Sequence, residues 1–169
     1  MPVNVGKKFE EQLKKDWEKT IPESIIIRIP DQISKFKGTS SNICDFIAYK
    51  NPILYMIEAK SCKGNTFPFT NLRQYDKLLQ YSNIDGVCPG VVIWFIERDH
   101  VIFVSAKGLY LMKQDNKKSV NIKMLKTSEY SDYIIDLKST KRIKFMNTDY
   151  SELIEISNER KELWKLEKK

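Results

Sequence analysis

Three charged side chains stand where a strand-forming sequence would ordinarily place apolar ones. Asp45 follows Ile43-Cys44, and Glu58 and Lys60 flank Ala59 directly after the apolar run Ile53-Leu54-Tyr55-Met56-Ile57. Residues two apart on a strand project from one face, so Glu58 and Lys60 share a side while Ala59 points away. If the segments 43–49 and 53–60 pair antiparallel through the turn Lys50-Asn51-Pro52, Asp45 comes to lie almost opposite Glu58. Two carboxylates held together repel, and one is expected to take up a proton unless a cation lies between them. A hard divalent ion such as Mg²⁺ meets that need with one or two carboxylates, leaving positions for water and substrate phosphate. A lysine beside it can hold a water or balance charge building on the phosphate. Such a set suits metal-assisted phosphodiester hydrolysis; the competing reading is an ion pair at a sheet edge.

The elements that must position these groups follow from periodicity. Val5, Phe9, Leu13 and Trp17 recur every four residues and predict a helix over 5–19. The β-branched stretch 24–29 predicts a strand stopped by Pro30, and 31–42 is a polar connection. After the two strands carrying Asp45 and Glu58, a loop over 61–69 leads to a helix from about Asn71 to Tyr81, marked by Leu72, Tyr75, Leu78 and Leu79. The apolar run 90–96 predicts a strand buried on both faces, hairpin-paired with 101–104. Mixed elements and a charged C-terminal helix, about 150–166, complete the chain. This order implies an α/β (α+β) fold with a mixed central sheet flanked by helices.

At 169 residues the chain is the size of one domain, with a core over about 4–105 and a basic C-terminal extension over about 106–169. No apolar run approaches the roughly 20 residues of a membrane span, and the first residues lack the apolar segment of a secretory signal. A cytoplasmic location is therefore expected, with no membrane partner. Cys44, Cys62 and Cys88, with the single His100, show no ligand spacing and argue against zinc. The net charge of +7 favours a polyanionic partner. Its surplus concentrates in 113–126, with five lysines and one acid, and in 138–144, with four bases and no acid. These segments, including Lys117, Lys118, Lys141 and Arg142, are candidate phosphate contacts, the alternative being a solvated basic face.

The pattern Asp45…Glu58-Ala59-Lys60 matches the D-x(n)-[D/E]-x-K signature of the restriction-endonuclease-like nucleases. Together with N-V-G-K-K-F-E (4–10), C-D-F (44–46) and N-T-F-P-F-T-N-L-R-Q-Y (65–75), it resembles the RecU-type Holliday junction resolvases, and within them the shorter RecU-like proteins carried by bacteriophages. The resemblance runs from about residue 4 to residue 105. It implies a restriction-endonuclease-like core, Asp45 and Glu58 as metal-binding carboxylates, and Lys60 as the catalytic lysine. It also implies that Gln74 reaches the site from the second helix, binding metal through water or orienting a ligand, and that Glu10 is a further acidic member. Asp76 is the rival of Gln74, and Glu10 has an alternative partner in Lys14 at helical spacing. Where the family usually carries a threonine, two residues before the aspartate, this chain has Ile43. The segment 31–42 is short for the stalk of cellular members, and Lys35 and Lys37 within it would face DNA, as would Lys63 and Arg73 beside the F-P-F loop.

The implied function is a Mg²⁺- or Mn²⁺-dependent endonuclease that resolves four-way and other branched DNA junctions by phosphodiester hydrolysis, with paired symmetric nicks from a homodimer. A restriction-type, flap or duplex nuclease with the same site and a non-catalytic DNA-binding module are the alternatives.

Overall fold

A computed structural model describes residues 4–30, 42–126 and 129–167. Helix α1 (Val5–Thr20) starts at Asn4, whose side-chain oxygen accepts the Lys7 amide at 3.3 Å. Strands β1 (Ile25–Arg28), β2 (Phe46–Lys50) and β3 (Ile53–Cys62) form an antiparallel meander. The chain then makes β4 (Thr66–Pro68), α2 (Tyr75–Gln80), β5 (Val87–Phe95) and β6 (His100–Ser105). After α3 (Ala106–Gln114) come β7 (Ser119–Asn121), β8 (Ile134–Leu137), β9 (Ser139–Lys141), β10 (Met146–Thr148) and α4 (Ser151–Arg160).

The central sheet has six strands in the order β1-β2-β3-β5-β6-β8. β3 and β5 are its parallel pair, and the crossover between them carries β4 and α2. β4 pairs with β7, and β9 with β10, in small two-stranded ribbons. The fold is therefore the expected mixed sheet between helices.

Alternation along the strands builds two cores. On one face Phe46, Tyr55, Ile57, Trp94 and Phe103 pack against Phe9, Leu13 and Trp17 of α1 and Leu153 of α4. On the other, Met56, Val91, Ile93, Phe95 and Ile102 pack against Phe67, Leu78, Leu109 and Met112 from β4, α2 and α3. β5 and β6 are thus apolar on both sides, which explains their unbroken hydrophobic runs. A side chain at Gly90 would meet the Phe103 ring and, at 2.6 Å, the Val104 carbonyl oxygen, so only glycine fits where β5 meets β6.

Three boundaries differ from the sequence reading. The second helix begins at Tyr75, because Phe69–Asn71 closes a 3-10 turn in which the Leu72 amide donates to the Phe69 carbonyl. Leu72 is buried from that turn, so its helical spacing was coincidental. The expected loop 61–69 instead holds the end of β3 and all of β4. The last helix stops at Arg160, and turns beyond it carry Trp164 into the core, its indole donating to the Asp132 carbonyl at 2.7 Å.

Candidate active site

β2 is half as long as β3, and the site lies where β2 runs out. The ladder pairs Phe46 with Ile57, so Asp45 falls one step on, beside Glu58. The Asp45 amide still donates to the Ile57 carbonyl at 3.1 Å. The next backbone donor along β3, the Ala59 amide, is taken by Asp45 Oδ2 at 2.8 Å. A side-chain carboxylate thus replaces the missing strand, while β3 continues alone on that side to Cys62. On its other side Glu58 is the parallel partner of Val91, and Lys60 that of Ile93.

Glu58 and Lys60 share the face of β3 that carries Met56, beneath the layer of β4, α2 and α3. Glu58 is 0% exposed, and no backbone amide donates to its carboxylate. The Lys60 ammonium stands 2.6 Å from Glu58 Oε1 as its salt-bridge partner. Burial is the main cause that pushes the Glu58 carboxyl up to about 7. Repulsion from Asp45 and Glu10 adds to it, and Lys60 opposes it. Cys44, buried next to the pair, feels the same negative field: burial first, then Glu58 and Asp45, push its thiol up to about 12.

A buried carboxylate beside a second carboxylate, with a single lysine to offset the two charges, fits a hard divalent cation. Among the described residues no group of three or more His, Cys, Asp or Glu side chains could hold a metal. Water and phosphate would therefore complete the shell around Asp45 and Glu58. Lys60, 26% exposed in its side chain, and the half-buried Asp45 give the set its access to solvent.

The remaining candidates are distributed as follows. Glu10 Oε2 accepts both Nε (3.0 Å) and Nη2 (2.6 Å) of Arg28, at the end of β1. The helical pairing with Lys14 is not formed; Lys14 pairs with Glu18 at 2.6 Å. Gln74 precedes the first turn of α2, and its Oε1 is buried without a hydrogen-bond partner. It makes no hydrogen bond to Asp45, Glu58 or Lys60. Asp76, two residues further in the first turn of α2, is exposed. Ile43 is half-buried and packs against the α2–α3 core.

Lys63, Arg73, Lys117 and Lys118 are all exposed. The bonds from the Phe69 amide to the Lys118 carbonyl and from the Ile122 amide to the Asn65 carbonyl tie their segments together, on the face of Glu58 and Lys60. Lys141 and Arg142 lie across the sheet, on the ribbon that packs against α1. Lys141 pairs there with Asp99 at 2.7 Å, and Arg142 Nε donates to Asn147. The two basic segments therefore serve different faces. Lys35 and Lys37 lie outside the described residues.

Arg28 was not singled out from sequence. Its signal was present, a guanidinium ending the strand Ile25-Ile26-Ile27 beneath a helix with an acid at Glu10.

A solved structure, of Archaeoglobus fulgidus Hjc, a Holliday junction resolvase from an archaeal hyperthermophile, is similar over 78% of this chain and 88% of that one. The two are 20% identical, with a TM-score of 0.44. No curated protein sequence matches the chain. The family model described as recombination protein U matches residues 7–149, a span holding Asp45, Glu58, Lys60, Gln74 and Glu10. The chain belongs to the RecU, or recombination protein U, family.

Proposed function

We propose that the protein is an endodeoxyribonuclease that resolves four-way and other branched DNA by phosphodiester hydrolysis, acting as one nuclease domain in the cytoplasm of a bacterial or phage-infected cell. The observation that carries this reading is Glu58: fully buried, beside Asp45, with the Lys60 ammonium 2.6 Å from one oxygen, in a chain of the RecU family. A carboxylate so placed weakens the fold, and a site that needs its charge gives a reason to keep it.

Asp45 and Glu58 would hold Mg²⁺ or Mn²⁺, which when bound supplies Lewis-acid polarisation of the scissile phosphate. Lys60 donates to the attacking water or to a non-bridging oxygen and offsets the charge that builds there. The Ala59 amide fixes the direction of the Asp45 carboxylate. Arg28 restrains Glu10, whose charge adds to the acidic field at the site. Gln74 brings an acceptor without a partner, suited to a water held near the site. Lys63, Arg73, Lys117 and Lys118 supply phosphate contacts on the same face.

Paired cuts need two sites related by a twofold axis. A homodimer is supported by an apolar patch on the β1–β2 edge, where Ile25 and Ile27 are each 58% and Tyr49 42% exposed. Ile25 and Tyr49 are cross-strand partners there.

The test is cleavage of a labelled four-way junction in Mg²⁺, with duplex of the same sequences beside it. Paired nicks from wild type and none from Asp45→Asn are expected. Equal cutting of duplex would move the substrate to linear DNA, and tight binding without cutting in Mg²⁺ and Mn²⁺ would leave a binding module.

A further inference from the structure

The hairpin of β9 and β10 has a tip with no evident structural purpose. Its four connecting residues, Arg142-Ile143-Lys144-Phe145, include none of the usual turn formers Gly, Pro, Asn, Asp or Ser. The turn is nevertheless closed, by the Arg142 amide donating to the Phe145 carbonyl at 2.8 Å. Its base is rigid. Met146 and Thr148 are buried, and the buried carboxylate of Asp16 on α1 accepts the Thr148 amide (2.8 Å) and the Asn147 side chain (3.0 Å). On this anchored base Ile143 is 98% exposed, with Phe145 at 36%. A stiff β-branched side chain is thus held out in water between two cations.

The tip also has a defined place. It lines a groove with Val5, Trp94 and Ile96. Trp94 is the parallel-strand partner of Ser61, the residue after Lys60, and packs with Phe9 on the α1 face. The tip therefore stands at the same end of the sheet as the candidate site but on the opposite face. A protein partner would be expected to match an apolar knob with an apolar surface free of excess positive charge. Here the segment 138–144 carries four bases and no acid. Asp99 in the groove pairs with Lys141, and Arg142 and Lys144 beside the knob leave an excess of positive charge that favours a polyanion.

We propose that Ile143 is a wedge that enters unstacked bases of the DNA near the branch, while Arg142 and Lys144 hold the flanking phosphates. Apolar side chains used this way partly unstack a base step and set the bend of the nucleic acid. The proposal rests on the reading of the chain as a junction nuclease, and adds how a branch would be told from continuous duplex, where bases are stacked and closed to the side chain.

The experiment places 2-aminopurine beside the branch of a four-way junction and binds the protein in Ca²⁺. Wild type should brighten the probe. Ile143→Ala should abolish the brightening and lower the preference for junction over duplex by about tenfold, a part of the cost of unstacking one base step. Its melting temperature and duplex binding should stay unchanged, since Ile143 touches no core. Equal brightening and equal preference in Ile143→Ala, with wild type still cutting the junction, would remove the wedge and leave the nuclease reading standing. A wild type that neither prefers nor cuts the junction would remove both. Conversion of a dimer to a monomer by Ile143→Asp, seen by sedimentation, would assign the tip to a contact between copies and overturn the proposal.

Discussion

Replacing Glu58 by glutamine should raise stability at alkaline pH while removing the chemistry. The Glu58 carboxyl is moved from 4.5 to about 7 by burial and by Asp45. Each unit corresponds to about 1.4 kcal/mol, so ionising the buried group costs roughly 3 kcal/mol of folding stability. The sign follows from proton binding: the folded state holds the proton more tightly than the unfolded state. Stability is therefore intact below 4.5, falls as pH rises toward 7, and is constant above that. Between pH 5.5 and 8.5 the share of Glu58 in this loss is about 2 kcal/mol.

Urea denaturation of wild type and Glu58→Gln, at matched protein concentration in EDTA, isolates that share as the difference between the two profiles. The difference should tilt by about 2 kcal/mol over this range, with the glutamine variant the more stable at pH 8.5. Adding Mg²⁺ at about 100 times its dissociation constant should return about 2.7 kcal/mol to wild type and almost nothing to the variant. A difference profile flat in pH would show that Glu58 ionises as freely in the folded chain as in water, and the argument for a poised, buried carboxylate would be refuted.

Other perturbations separate chemistry, packing and affinity. Lys60→Ala should lower the cleavage rate by about 10² to 10⁴ while junction binding in Ca²⁺ stays within a few-fold, read by single-turnover kinetics and gel shift. Gly90→Ala should cost about 1–3 kcal/mol in urea melts, because its methyl group would strike the Phe103 ring and the Val104 carbonyl. Lys117→Ala with Lys118→Ala should weaken binding to all DNAs alike and reduce the slope of log K against log salt by about 2.

The candidate site was legible in the sequence because its parts lie on one hairpin. Strand alternation and a short turn place Asp45 against Glu58 and put Lys60 on the same face. The positions that sequence could not supply depend on distant packing. Leu72 joins the second helix by spacing, yet tertiary contacts bury it from a 3-10 turn. Helix α3 and the ribbon of β4 and β7 are short, and their stability comes from Phe67, Leu109, Met112 and Val120 meeting in one core rather than from local periodicity. Glu10 has an ideally spaced neighbour in Lys14, but Arg28, donating from both Nε and Nη2 to one Glu10 oxygen, prevails. The basic segments 113–126 and 138–144 are legible as candidate phosphate contacts, but their division between the faces of the sheet is not.

The bond from the Ala59 amide to Asp45 Oδ2 carries a consequence for how this hairpin can change over time. It locks the carboxylate to the strand register, so the hairpin arms serve as a ruler. A residue inserted within 46–50 or 53–57 would turn Asp45 to the opposite face of the sheet and break that bond. A residue added at the turn 51–52 could bulge outward and leave both carboxylates in place. Length variation compatible with activity should therefore be confined to the turn, while the arms on either side keep a constant count.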